Sequence, residues 1–198
     1  MMSIQTVLWD AMRGYDDVPI SRRIRDSVNQ KTYNYHTVKT SFRRNVNLNR
    51  SHWIAFLNSE ISDGVKNGYF MAIYTSEDRN VFYVTLSQGY KWIEENKGDL
   101  HPIVAMRRIS NYWRRKFNLL ETRMFLSNHV TRETKNQRYQ NAGTIFNVYF
   151  DIRTDLSEDN ILNQMLFVKM LLDEIRLECN GDWQAKNLEI LNAPDRTL

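Results

Sequence analysis

A single cysteine, Cys179, in 198 residues excludes an internal disulfide framework and any cysteine-rich zinc site, and it points to a reducing cytoplasm. Seven glycines and three prolines fall well below the usual shares of about 7% and about 5%, which excludes low-complexity, collagen-like and linker-dominated architectures. No apolar run reaches the roughly 18 residues that a membrane span needs. The stretch Met1 to Asp10 has neither a basic region nor a signal-type apolar segment, so a protein that is soluble and not exported is expected.

Familiar catalytic and nucleotide-binding patterns are missing as well. Neither Gly-x-x-x-x-Gly-Lys-[Ser/Thr] nor Gly-x-Gly-x-x-Gly occurs, so neither of the two common phosphate cradles is present. His36, His52, His101 and His129 are far apart, and none has a His or Cys at ligand spacing; no metal site is expected. The carboxylate pairs Asp16-Asp17, Glu77-Asp78 and Glu94-Glu95 read as surface groups at helix ends or turns. Cys179 closes an acidic helix, where the dipole raises a thiol pKa, and it reads as buried and inert. No catalyst and no cofactor emerge.

What is present is a chain 42% hydrophobic and 12% aromatic, enough for a substantial core. Its formal charge of +4 is unevenly divided. From Asp151 to the end there are 10 acidic and 5 basic residues, leaving 22 basic and 13 acidic in residues 1–150. A basic body followed by an acidic part points to a polyanionic partner, with a merely solvated surface as the alternative.

Periodicity divides the chain into elements. Ser3 to Met12 reads as a short amphipathic helix, and a second short basic helix follows Pro19. Thr32 to Phe42 alternates with the period of a strand. Arg43 to Arg50 is cationic and Asn-rich, hence an exposed loop. Trp53 to Leu57 is a continuous apolar run, as in a central strand. Tyr69 to Thr75 and Val81 to Ser87 flank the polar stretch Ser76 to Asn80 and form a hairpin, with Phe82, Val84 and Leu86 facing the core and Tyr83 and Thr85 opposite.

Asp99 to Phe117 has a helical period through Ile103, Met106, Ile109 and Trp113, and the pairs Arg107-Arg108 and Arg114-Arg115 fall on its other side. His129 to Asn141 reads as a polar, variable-looking stretch. Glu158 to Cys179, with Ser157 as N-cap, is a long helix with an apolar stripe of Ile161, Leu162, Met165, Val168, Leu172 and Ile175, as expected of a helix packed on a sheet. The order helix, strand meander, helices predicts one α+β domain with a central, mostly antiparallel sheet flanked by helices.

Arginines and asparagines on an exposed loop, with aromatics nearby, are the residue types that contact phosphates and base edges and stack on an unpaired base. Each of Trp53, Phe70, Tyr74 and Tyr83 has ordinary sheet packing as its alternative. Two other functions compete: a nuclease with its site around His101 to Tyr139, built on Glu121, Glu133 and histidines, and a protein-interaction adaptor docking through the stripe of the last helix.

The series Ser41-Phe42, an Asn-rich loop, Ser51-His52-Trp53-Ile54-Ala55-Phe56-Leu57, Asn67-Gly68-Tyr69-Phe70-Met71-Ala72-Ile73-Tyr74 and Val81 to Gly89 resembles the N-terminal DNA-binding domain of the McrB family of modification-dependent, type IV restriction systems. The match is best over Thr40 to Gly89 and continues more loosely through Tyr139 and Gly143-Thr144-Ile145 to the last helix, so that residues 1–198 would form one such domain.

The resemblance implies a cytoplasmic bacterial or archaeal protein that binds duplex DNA carrying 5-methylcytosine or 5-hydroxymethylcytosine and flips the modified base into an aromatic pocket. Trp53 would be the stacking wall, with Tyr74 lining the pocket, Tyr139 as the opposite wall, and Phe70 and Tyr83 as further candidates. Arg43, Arg44, Asn45, Asn47, Asn49 and Arg50 would enter the duplex or its groove, and Arg107, Arg108, Arg114 and Arg115 would contact phosphates. The chain departs from the family in a finger loop with two arginines and no glycine, and in His52 where proline is common. It also lacks the nucleotide-hydrolysing motor of full-length McrB proteins, so the resemblance implies either a stand-alone reader or the DNA-binding piece of a larger protein or complex, with a nuclease or NTPase domain or subunit as partner.

Overall fold

Runs rich in β-branched and aromatic residues form the sheet, because such side chains fit a pleated, half-buried surface. A computed structural model describes residues 37–40, 53–76, 81–120, 135–151 and 157–194. Its strands are β1 (Thr37–Thr40), β2 (Trp53–Leu57), β3 (Tyr69–Thr75), β4 (Val81–Gln88) and β5 (Thr144–Asp151), and its helices are α1 (Lys91–Asn96), α2 (Pro102–Lys116), α3 (Lys135–Gly143), α4 (Glu158–Cys179) and α5 (Trp183–Asn192). The strands form one sheet in chain order, antiparallel at every pairing. The architecture is the single α+β domain that the order of elements predicts. The two helices expected before residue 30 and the Arg43 to Arg50 loop lie outside the described residues.

Alternation assigns the two faces of the sheet. Ile54, Phe56, Tyr69, Met71, Ile73, Phe82, Val84 and Leu86 join the main core, together with Ile161, Met165, Val168, Leu172 and Ile175 of α4. The apolar stripe of α4 therefore packs against the chain's own sheet, as the sequence predicts of a helix packed on a sheet. Each such fully buried side chain contributes about 1.5–3 kcal/mol. The Ser157 hydroxyl caps α4 by accepting from the Asn160 amide at 3.0 Å. Asn180 ends the helix in the left-handed region, at φ 47°, a conformation that Asn tolerates.

Five elements differ from the pattern of the sequence, α1 and α5 being helices that it does not predict. Helix α2 starts at Pro102, later than Asp99. His101 is its N-cap, its Nδ1 accepting from the Ile103 amide at 3.3 Å, so a histidine of the competing nuclease site is engaged in capping. Strand β5 and helix α3 lie where periodicity predicts no element, α3 beginning within the polar stretch His129 to Asn141. Polar composition conceals α3 (KNQRYQNAG), and apolar residues on both faces conceal the alternation of β5.

Buried polar contacts pin the helices to the sheet. The Trp113 indole donates to the Tyr69 hydroxyl at 2.8 Å, and Tyr69 donates to Asn187, linking α2, β3 and α5. The Arg114 side chain, only 5% exposed, donates from Nε to the Ile145 carbonyl at 3.1 Å, from Nη1 to Asn111 Oδ1 at 2.7 Å and from Nη2 to the Thr144 carbonyl. It joins α2 to the start of β5. Glycine matters where the backbone turns beside β3 and β4. Gly68 has φ +75°, and a Cβ there would stand 2.1 Å from the Ile61 carbonyl oxygen; at Gly89 it would stand 2.2 Å from the Lys66 carbonyl carbon. This close approach lets the Gly89 amide donate to the Gly68 carbonyl at 2.8 Å and the Lys91 amide to Lys66 at 2.9 Å.

Burial is the largest cause pushing the Cys179 thiol up to about 12, ahead of the nearby carboxylates of Glu178 and Asp182; the helix dipole is not needed to explain it. Burial likewise pushes the Tyr74 phenol up to about 12 and that of Tyr69 well above its ordinary value. Each group keeps its proton in the folded state more tightly than in the unfolded chain. The stability this contributes is complete below pH 9 and is lost as the pH rises towards 12. Urea midpoints measured across that window should fall steadily, and Cys179 should not react with Ellman's reagent at pH 8 until the protein is unfolded. Arg114→Ala should lower the unfolding free energy by about 2–4 kcal/mol, since it strands buried carbonyls, whereas Arg115→Ala should stay within about 0.5 kcal/mol; urea denaturation of the two variants checks this.

Candidate nucleic-acid interface

On the sheet face opposite the main core, the register aligns side chains in rows across the strands. Trp53 pairs with Tyr74, Tyr74 with Tyr83 and Tyr83 with Tyr149, which makes an aromatic row. The next row holds Ala55, Ala72 and Thr85, and the one beyond it Leu57, Phe70 and Ser87. Ala55, Leu57, Phe70, Ala72, Tyr74 and Tyr83 make a second buried apolar cluster on this face, with Trp53 packed against it. Thr85 is turned inward there, its hydroxyl donating to the Ala72 carbonyl at 3.0 Å.

A cleft of about 480 Å³ opens here, lined by Trp53, Phe70, Tyr74 and Ser87 from this face, by Gln88 at the end of β4, by Val65 and Lys66 from the segment before β3, and by Tyr90, Glu94, Met106, Tyr139 and Gln140 from the segment between β4 and β5. Its volume is in the range of small-ligand sites, which are mostly apolar with a few placed polar groups. Trp53 and Tyr139 are half-buried. Tyr139 donates its hydroxyl to Glu94 Oε1 at 2.8 Å, and its ring stands edge-on to Tyr90 with centroids 5.3 Å apart. The bond to Glu94 is the main reason the Tyr139 phenol lies above its ordinary pKa. Tyr74 is buried, with the Ser87 hydroxyl as its hydrogen-bonding neighbour.

Four of the predicted pocket aromatics, Trp53, Phe70, Tyr74 and Tyr139, therefore gather around one cleft. Tyr83 does not line it. It stands one strand further along the row, beside Tyr149, with ring centroids 6.4 Å apart. Sequence patterns do not reveal Tyr90, Glu94 and Gln88. The short α1 brings Glu94 to the cleft, with Tyr90 just before it, and the turn that carries Asn67 anchors this helix, with Asn67 Oδ1 accepting from the Trp92 amide at 3.1 Å. Glu94 is not one of two equivalent surface carboxylates: it lines the cleft, while the exposed Glu95 approaches Lys91 at 4.0 Å.

The four helix arginines do not form one phosphate-binding side. Arg107 and Arg115 are exposed, and Arg108 donates to the Ala193 carbonyl after α5. Arg114 is buried against β5, so it is a structural residue and not a phosphate contact; its head is turned inward because the carbonyls of Thr144 and Ile145 need donors. The loop residues Arg43, Arg44, Asn45, Asn47, Asn49 and Arg50 lie outside the described residues, between β1 and the start of β2 at Trp53. Among the described residues no cluster of three or more His, Cys, Asp or Glu side chains could hold a metal ion, and no helix is long and apolar enough to cross a membrane.

No curated protein matches the chain. A family model described as "MrcB-like, N-terminal domain" matches residues 17–174, a span that takes in the whole sheet, the lining of the cleft and most of α4. The chain therefore belongs to the MrcB-like N-terminal domain family and is a DNA-binding module of the McrB type.

Proposed function

We propose that this module recognises a modified base, 5-methylcytosine or 5-hydroxymethylcytosine, by flipping it out of duplex DNA into the cleft beside Trp53. The observation that carries this reading is the gathering of Trp53, Phe70, Tyr74 and Tyr139 around one small-ligand-sized cleft. Flipping costs a few kcal/mol of pairing and stacking, which aromatic contact on the extruded base can offset. Apolar contact with a 5-methyl group adds only about 1–3 kcal/mol, so affinity must come mainly from stacking and phosphate contacts. The Arg43 to Arg50 segment directly precedes β2 and Trp53 in sequence, so a cationic loop entering the duplex would act next to the stacking wall.

In this reading the chain is not itself an enzyme. It supplies specificity to a modification-dependent restriction or phage-defence system, and a nuclease or NTPase domain or subunit does the cutting.

Gel shifts over duplexes differing only in cytosine, 5-methylcytosine, 5-hydroxymethylcytosine, glucosylated or N6-methyladenine content test it directly. The modified duplex should bind more tightly than the plain one, and Trp53→Ala should cost it about tenfold or more while leaving plain DNA little changed. Arg107→Ala or Arg115→Ala should weaken both alike and reduce the slope of log affinity against log salt by about 0.9 for each phosphate no longer neutralised. Equal, salt-insensitive binding of every duplex would sink the reading.

A further inference from the structure

The cleft has aromatic walls, and two of the side chains that line it, Gln88 and Glu94, present acceptors. Gln88 is only 5% exposed. Its Nε2 donates to the Met106 carbonyl at 2.8 Å and to Ser110 Oγ at 2.7 Å, and Ser110 in turn donates to the Ala142 carbonyl at 2.8 Å. The Met106 carbonyl can only accept, so the amide has one possible orientation. Its Oε1 is left as a buried acceptor with no hydrogen-bond partner. Glu94 is half-buried and also lines the cleft. Tyr139 occupies its Oε1, and an ionised carboxylate has further lone pairs for a second donor. The cationic side chain of the lining, Lys66, is solvent-exposed. A carboxylate in the lining repels phosphate and suits a neutral group rich in N–H.

We propose that Glu94 sets the specificity of the cleft. Its carboxylate, held in place by the Tyr139 hydroxyl, accepts a hydrogen bond from the exocyclic amine of the flipped base, so the cleft takes amino bases and rejects keto bases. This inference rests on the base-flipping reading above. Carboxylates are suited to accepting from the cytosine amine, and the bond is charge-assisted. A keto oxygen in its place would face the carboxylate without a proton between them, leaving both acceptors desolvated and unpaired. Gln88, whose two amide hydrogens are both engaged, adds no free donor to the lining. Tyr139 is a positioning residue here: it orients the carboxylate and contributes its ring as a wall.

Thymine tests the idea well, since it matches 5-methylcytosine in shape but carries a carbonyl in place of the amine. Two duplexes of one sequence, with 5-methylcytosine or thymine opposite guanine and 2-aminopurine next to the target as an unstacking reporter, separate the contributions. A mismatched thymine is easier to extrude, so flipping cost alone would favour it. The wild-type chain should nonetheless bind the 5-methylcytosine duplex about tenfold or more tightly.

Glu94→Gln retains an acceptor for Tyr139 and can turn its amide to offer a donor to thymine, so its ratio should fall to about threefold or below with an unchanged melting temperature. Tyr139→Phe should lower the ratio part of the way. A reporter signal in both proteins with the ratio unchanged in Glu94→Gln would overturn the role of Glu94 and leave base flipping standing. No reporter signal with any duplex would overturn both.

Discussion

The antiparallel register of β2, β3 and β4 is the constraint on which both the core and the cleft depend. Most sheet residues of the cleft adjoin in sequence a residue of the main core: Trp53 and Ile54, Phe70 and Met71, Tyr74 and Ile73, Ser87 and Leu86. The side-chain period of a strand is two, so a slip of one residue would exchange the two sets completely. Burial of Ile54, Met71, Ile73 and Leu86 in the main core forbids that slip. The same pairing that places those residues in the core sets the aromatic row of Trp53, Tyr74 and Tyr83 beside the small row of Ala55, Ala72 and Thr85. A cleft on one face is thus held by packing on the other.

Polar contacts then set where the non-strand walls stand. Gln88 and Ser110 bridge β4, α2 and the end of α3, and Arg114 joins α2 to β5. Because α3 runs straight into β5, the two contacts together locate Tyr139 relative to the sheet. On the other side, the close backbone approach at Gly68 and Gly89 seats the start of α1 and with it Glu94. A buried donor or acceptor left without its partner costs about 1–3 kcal/mol, so these bridges resist displacement more than their number suggests. Gly68 and Gly89 stand where no other side chain would fit.

Much of this was legible in the sequence, for local reasons. The run Trp53 to Leu57 and the hairpin strands Tyr69 to Thr75 and Val81 to Ser87 showed strand composition and turn chemistry, and the Ser157 cap and the stripe from Ile161 to Ile175 showed a helix on a sheet. Trp53, Phe70, Tyr74 and Tyr139 were singled out by residue type and family resemblance, and the structure brings them to one cleft. The short α1 and the polar α3 gave no comparable signal, since helices of six and nine residues are formed by tertiary contacts more than by propensity. Glu94 was therefore indistinguishable from Glu95.

By itself the sequence determined the periods of β2, β3, β4 and α4 and the Ser157 cap, and its motifs carried the resemblance to the McrB family. The periods and the cap follow from spacing and residue type, which act within a few residues along the chain. Only the tertiary structure decided that Arg114 turns inward to the carbonyls of β5 while Arg107 and Arg115 stay exposed, that Tyr83 joins Tyr149 instead of the cleft, and that Glu94 and Gln88 share a cleft with Trp53. Those outcomes depend on which backbone carbonyls lack donors and which strands lie side by side. Both are properties of contacts between residues tens of positions apart, which no local pattern records.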